Sequence, residues 1–237
     1  MPSNQKYLTS FEKCLDKFLY RFDVYNVFND FLTSCICAYS GGKYEDEYFK
    51  TIEPYKHQNL IEVFPEMLSH LVLNSINNPY SDLLGDIYMN NASKSKSQRF
   101  GQFFTPDTIC DFMAQIGMDF NTEAKGKTVL DPACGSGRML LSGAKLNHNS
   151  FFFGADLDPV CAKMAALNLS INGMRGEIAC MNSLSNEWFF GYQININSPG
   201  ITKIEKDESF IYLRREVLVE PQKVQLEHYE QLELQLF

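Results

Sequence analysis

The 237-residue chain contains no run of the ~18 consecutive apolar residues that a bilayer-spanning helix requires. Its first stretch, MPSNQKYLTSFEKC, lacks the apolar core of a secretory signal. Together these absences predict a cytoplasmic protein with no membrane attachment. Cysteine pattern is missing too. Cys14, Cys35, Cys37, Cys110, Cys134, Cys161 and Cys180 form no CxxC pair and no Cys/His cluster at zinc spacing, so no disulfide framework and no metal site is expected. Basic residues are in deficit, with 21 Lys and Arg against 29 Asp and Glu and a net charge of -8. Bulk electrostatic binding of nucleic acid is thereby excluded, because neutralising phosphates takes clustered cations. Any nucleic-acid contact has to be local or shared with a partner. No internal repeat is visible.

What is present divides into two regions. Between residues 7 and 39, Phe11, Leu15, Phe18, Leu19, Phe22, Val27, Phe28, Phe31 and Leu32 recur at steps of mainly three and four, which is helical spacing. NLIEVFPEMLSHLVLNSI (59–76) repeats the pattern and DLLGDIYM (82–89) adds a third piece. The polar run NNASKSKSQRFGQ (90–102) has no apolar period and reads as a linker or mobile loop. Within it Lys94, Lys96 and Arg99 form a short basic stretch. The expected division is a helical region over 1–98 and an α/β domain over 99–237. In the second region KTVLDPA and SFFFGADLDP read as short buried strands, each followed by a helix, GRMLLSGAKL and PVCAKMAALNLSIN. Strands alternating with helices predict a parallel, doubly wound sheet. ESFIYLRREVLVE (208–220) could supply one or two strands, and the Glu/Gln-rich tail from 220 reads as a final helix.

In such a sheet, ligands bind outside the carboxyl ends of the strands, where a glycine-rich first turn lets backbone come close. DPACGSGRML (131–140) has the form of that turn, with Gly135 and Gly137. At the end of the next strand Asp156, in GADLDP, is placed to accept both hydroxyls of a ribose. The pair describes a nucleoside site. The competing possibility is that the glycines only shape a tight turn and that Asp156 caps the helix starting at Pro159. A dinucleotide fingerprint would need a third glycine at 140, where Leu140 stands, so nicotinamide is disfavoured.

DPACGSGRML resembles the first motif of S-adenosylmethionine-dependent methyltransferases, in the form typical of adenine-specific DNA methyltransferases. GQFFTP (101–106), GADLDP (154–159) and NSL (182–184) follow the same family's order and spacing, with type I modification subunits the most similar kind. The resemblance implies a Rossmann-like methyltransferase sheet after a helical lead-in, and S-adenosylmethionine as cofactor. It also implies DNA as substrate, in a restriction-modification setting with a separate specificity subunit or partner; homo-oligomerisation is left open. Carried over by position, Thr105 and Pro106 would hold the methionine end. Asp131, Pro132, Ala133, Cys134, Gly135, Ser136, Gly137 and Arg138 would wrap the cofactor, and Asp156 would take the ribose hydroxyls. Leu157 would pack on the adenine and Asn182 would accept from its amino group. The family usually has Asp at that last position, so charge assistance is lost. Of Phe103 and Phe104, at least one is expected to pack a loop onto the sheet.

The family's catalytic motif, Asn/Asp-Pro-Pro-aromatic at the end of the fourth strand, positions the weakly nucleophilic amino nitrogen of a flipped adenine. YQININSPG (192–200) stands in the corresponding place, with Asn197 and Pro199 as catalytic candidates. Ser198 replaces the first proline and Gly200 the aromatic ring. The same stretch reads equally as a buried strand ending in a turn. Only 37 residues follow Gly200, so the C-terminal strands are expected to be shortened and no target-recognition domain fits. Two functions stand after this reading, with a methyltransferase of protein or small molecules a third that GQFFTP disfavours. One is an adenine-specific DNA methyltransferase of the type I modification kind; the other is a degenerate relative that binds cofactor or a partner without transferring methyl.

Overall fold

The computed structural model describes residues 3–94, 103–117, 127–213 and 234–236. Two compact units result, Met1–Phe104 and Thr105–Phe237, so the division falls after Phe104 instead of after residue 98. Most of the polar run expected to be a loop, from residue 95 to 102, lies outside the described residues.

Among the described residues, the regular structure of the first unit is all helical. It comprises α1 (Ser3–Asp16), α2 (Val24–Ala38), α3 (Glu45–Ile52), a 3-10 turn (Glu53–Gln58), α4 (Val63–Asn77) and α5 (Leu83–Lys94). The long aromatic run breaks between α1 and α2, where Asp23 accepts the Asn26 N–H at 3.1 Å and starts the second helix. Asp82 does the same for α5 through the Gly85 N–H at 2.8 Å. The aromatic spacing is spent on a core: Phe11 meets Phe31 edge-on at 5.1 Å, and Tyr55 meets Phe18 at 5.5 Å and Phe64 at 5.0 Å. Tyr55 is fully buried, and its hydroxyl donates to Asp30 Oδ2 at 2.8 Å, which satisfies the one polar atom that its burial would otherwise strand.

The second unit opens with α6 (Asp107–Gly117) and continues through β1 (Thr128–Asp131), α7 (Arg138–Leu146), β2 (Phe151–Asp156), α8 (Pro159–Ile171), β3 (Arg175–Asn182), β4 (Glu187–Ile194), β5 (Ile201–Ile204) and β6 (Leu234–Leu236). The strand order is β5-β4-β3-β2-β1-β6. β1, β2, β3 and β6 run parallel, β4 runs antiparallel between β3 and β5, and β5 again points the way of β3. A Rossmann-like α/β sheet therefore follows a helical N-terminal region in the chain, but the sheet is mixed and not parallel throughout.

Three expectations are corrected. The strand ending in YQININSPG is not a parallel fourth strand. It is β4, a hairpin arm on β3, because only residues 183–186 separate the two and a parallel crossover needs a dozen or more. The segment 208–220 does not begin as a strand: residues 210–213 are helical. Ser209 Oγ accepts the Tyr212 N–H at 3.0 Å, and the buried Glu177 of β3 accepts the Phe210 N–H at 2.9 Å, so side-chain acceptors satisfy the helix start. The tail expected to be helical carries β6, paired in register from Thr128↔Leu234 to Leu130↔Leu236.

Ile211 and Tyr212 pack with Phe153, Ala155, Ala179 and Met181 to cover one sheet face. α8 covers the other and is buried nearly all round, from Val160 to Ser170. Among the described residues no helix is long and apolar enough to cross a membrane.

Candidate cofactor site

β1, β2 and β3 all finish at one end of the sheet, in Asp131, Asp156 and Asn182. Chain order reverses at β1, with β2 on one side and β6 on the other, which opens a crevice at the strand ends. The loop 132–137 crosses that end. Gly135 at φ 53° and Gly137 at φ 86° adopt left-handed conformations, which a side chain would strain.

Asp156 organises this loop. Its Oδ2 accepts the Gly135 N–H at 2.8 Å and its Oδ1 accepts the Asp158 N–H at 2.9 Å. Asp156 does not cap the following helix: Asp158 does, by accepting the Val160 N–H at 2.7 Å. With the Leu157 amide also close by, the carboxylate still keeps acceptor capacity for a hydroxyl donor. Asp131 Oδ1 accepts the Ala133 N–H at 3.0 Å. Burial raises both carboxyls above the usual carboxylate range, partly offset by these backbone donors, and the Asp156 charge adds to the rise at Asp131. Leu157, beside Asp156, is 57 % exposed and presents an apolar surface at the crevice.

Several supports were not legible in the sequence. Asn168, buried on α8, donates from Nδ2 to the Ser136 carbonyl at 2.9 Å and pins the loop from below. Ser183 Oγ donates to the Pro132 carbonyl at 2.6 Å, tying the end of β3 to the end of β1. A polar residue in the apolar run of α8 was the available signal for Asn168; Ser183 offered none. A Cβ on Gly137 would stand 3.3 Å from Ala165, so this glycine also serves the close approach of α7 to α8. The turn-shaping and ligand-binding readings of the glycines are thus not exclusive. Cys134 lies buried under the loop, its thiol pushed well up by burial and by the neighbouring carboxylates.

A sequence profile described as N-6 DNA Methylase matches residues 80–200. The chain belongs to this family. It is 28% identical over 119 residues to the type I restriction enzyme MjaIX methylase subunit of Methanocaldococcus jannaschii, covering 46% of this chain and 20% of the relative. It is 28% identical over 103 residues to the type I restriction enzyme HindI methylase subunit of Haemophilus influenzae, covering 39% of this chain and 22% of the relative. The chain thus spans about a fifth of the length of these curated relatives. The crystal structure of a type I restriction-modification methyltransferase subunit from Streptococcus thermophilus superposes with a TM-score of 0.41 at 15% identity, over 73% of this chain and 57% of that one.

The cofactor of the N-6 DNA methylase family to which the chain belongs is S-adenosylmethionine, and the crevice chemistry fits it. Two partly desolvated carboxylates suit a ligand bearing two hydroxyls and two positive centres, while Leu157 suits its purine. Asn182 departs from its expected role, since its Oδ1 accepts the Leu184 N–H at 3.0 Å and the Ser185 N–H at 3.2 Å. Both lone pairs of that oxygen serve the turn. Arg138 also departs. Its buried guanidinium faces away to Asp107 Oδ1 at 3.2 Å and to the Thr105 carbonyl at 3.4 Å. It therefore holds the exposed Thr105–Pro106 segment to the glycine loop. Phe104 packs on Tyr88 at 5.4 Å and not on the sheet, while Phe103 is 95 % exposed.

Asn197 and Pro199 are not brought to this crevice. They sit in the β4–β5 loop, at the end where β3 begins: Asn195 Nδ2 donates to the Met174 carbonyl at 2.8 Å, and Asn195 Oδ1 accepts the Gly200 N–H at 2.7 Å. Asn197 is exposed and donates to Gln193 Oε1 at 2.9 Å. The length of β3, eight residues or about 25 Å at the usual rise, separates this loop from the glycine loop. The physical reason is strand direction, because an antiparallel β4 delivers its last residues to the wrong end of the sheet.

Proposed function

We propose that this N-6 DNA methylase binds S-adenosylmethionine across the loop 131–138 and Asp156, as part of a cytoplasmic DNA methyltransferase of the type I modification kind that acts on the exocyclic amino group of adenine. A specificity partner supplies the reading of DNA sequence. The observation that carries the reading is the Asp156 carboxylate, which holds the Gly135 amide at the strand end while keeping acceptor capacity for a ribose. When bound, the cofactor supplies an electrophilic methyl group. The chain's own contribution is orientation. Asp156 and Asp131 fix the polar ends of the ligand, Leu157 shields its purine face, and the Arg138–Asp107 pair keeps Thr105 and Pro106 over the loop. The groups that orient the amino nitrogen come from the crevice side or from a partner, not from Asn197.

Calorimetric titration with S-adenosylmethionine tests the site. Wild type should bind, and Asp156→Ala should lose about 2–4 kcal/mol, the loss expected when a charged acceptor shared by buried amides and two hydroxyls is removed. Equal binding by the two proteins would place the cofactor elsewhere. The position of Asn197 and Pro199 favours a second reading, cofactor binding without methyl transfer by this chain alone. Transfer of labelled methyl to adenine-containing DNA by the purified protein separates the two.

A further inference from the structure

In the helical unit, α1 brings one side chain to a pair on α4 that lies far from it in the sequence. The Sγ of Cys14, a carboxylate oxygen of Glu66 and a ring nitrogen of His70 all lie within 4.8 Å of one another. Glu66 and His70 stand four residues apart on α4, hence on one face, and Cys14 meets them from the last turn of α1. Thiol, imidazole and carboxylate are the three donor types that zinc takes from proteins. Cys14 is buried, His70 half-buried and Glu66 exposed, so the cluster has an apolar floor and an open mouth.

We propose that Cys14, Glu66 and His70 form a binding site for a borderline-soft divalent cation of the zinc class, with the fourth position open to water. Tetrahedral zinc with bonds of 2.0–2.3 Å sets its ligand atoms roughly 3.5 Å apart. Side-chain rotation closes the present spacing to that value. Without metal the charge is balanced otherwise: Lys17 Nζ lies 2.7 Å from Glu66 Oε2, and the Cys14 thiol hydrogen-bonds the same carboxylate. Cation binding displaces the thiol proton to solvent and frees Glu66 from Lys17, forming one metal–sulfur, one metal–nitrogen and one metal–oxygen bond. The consequence is a pin between α1 and α4. The site needs nothing from the cofactor crevice, since all three ligands belong to the unit Met1–Phe104. Reading Cys/His spacing along the chain missed it because 52 positions separate Cys14 from Glu66.

The full chain, reduced and stripped with chelator, is titrated with Co2+ and then Zn2+. One equivalent of Co2+ should bind with the near-ultraviolet charge-transfer absorption that only a thiolate ligand gives. Zn2+ should displace it and raise the melting temperature. Cys14→Ser should lose the charge-transfer band. If that variant fails to fold by circular dichroism, His70→Gln serves instead, because its side chain is half-buried, and it should bind Co2+ at least tenfold more weakly. Absence of the band in the wild type, its persistence in folded Cys14→Ser, or unchanged affinity in His70→Gln would each overturn the proposal.

Discussion

At one end of the sheet three parallel strands finish together, and at the other the β4–β5 hairpin loop sits beside the start of β3. The two ends use similar residue types. Each has glycine, serine and a proline in a short turn, and each turn is closed by a side-chain acceptor: Asp156 for the glycine loop, Asn195 for the hairpin loop. They differ in charge and in convergence. The strand-end crevice gathers Asp131, Asp156 and the loop amides at a switch in strand order, where backbone and carboxylates face a common space. The hairpin loop is exposed from Asn197 to Pro199 and satisfies its polar groups locally. Sequence motif alone makes both look like sites. Strand direction leaves the first as a ligand crevice and the second as a turn.

The largest effect is expected at the crevice. Gly137→Ala forces a side chain into a left-handed conformation at φ 86° and sets its Cβ 3.3 Å from Ala165. A stability loss of about 1–2 kcal/mol from the backbone alone should appear in denaturant unfolding. Cofactor affinity should fall with it, and a neutral Gly137→Ala would erase the contrast between the two ends.

Between the ends, Glu177 on β3 probes how the strand is held. Its carboxylate is buried, accepts from the Phe210 and Ile211 N–H groups and hydrogen-bonds Ser209, yet burial dominates and pushes it up to about 7. In the unfolded chain a glutamate titrates near its ordinary value of about 4.3. Between that value and about 7 the folded state therefore holds the extra proton, so stability falls as pH rises through this window. Urea melts across the window should show the decline in the wild type and a flatter profile in Glu177→Gln. A wild-type profile that rises with pH there would contradict the assignment.

The smallest effect belongs to the hairpin loop. Asn197→Ala removes one exposed hydrogen bond to Gln193 and should change stability by less than ~0.5 kcal/mol, with cofactor affinity unmoved in calorimetry. A large loss of cofactor binding or of methyl transfer in this variant would mean that the loop reaches the crevice after all.

Much of the cofactor end was legible because local rules govern it. Glycines in a strand-to-helix turn and a carboxylate at the next strand end are short-range signals, and the family profile over residues 80–200 spans the same motifs. The second helical stretch and the aromatic core of the first unit followed from apolar period in the same way. The sequence could also have warned against the catalytic assignment: four residues between β3 and β4 cannot hold a parallel crossover. Other features depended on positions distant in the chain. The turning of Arg138 toward Asp107, the bond from Asn168 to Ser136 and the capture of the helix start at 210–213 by Glu177 each join separate elements.

The sequence by itself determined the strand–turn–helix units around the motifs, which turn carries the glycines and which carboxylate follows it, because these depend on neighbours within a few residues. Only the tertiary structure decided which end of the sheet each loop occupies, that Asn182 spends its oxygen on its own turn, and that Cys14, Glu66 and His70 converge. Strand direction and helix packing are set by burying apolar faces between elements far apart in the chain, and beyond the short β3–β4 connection that choice leaves little mark on any single stretch of residues.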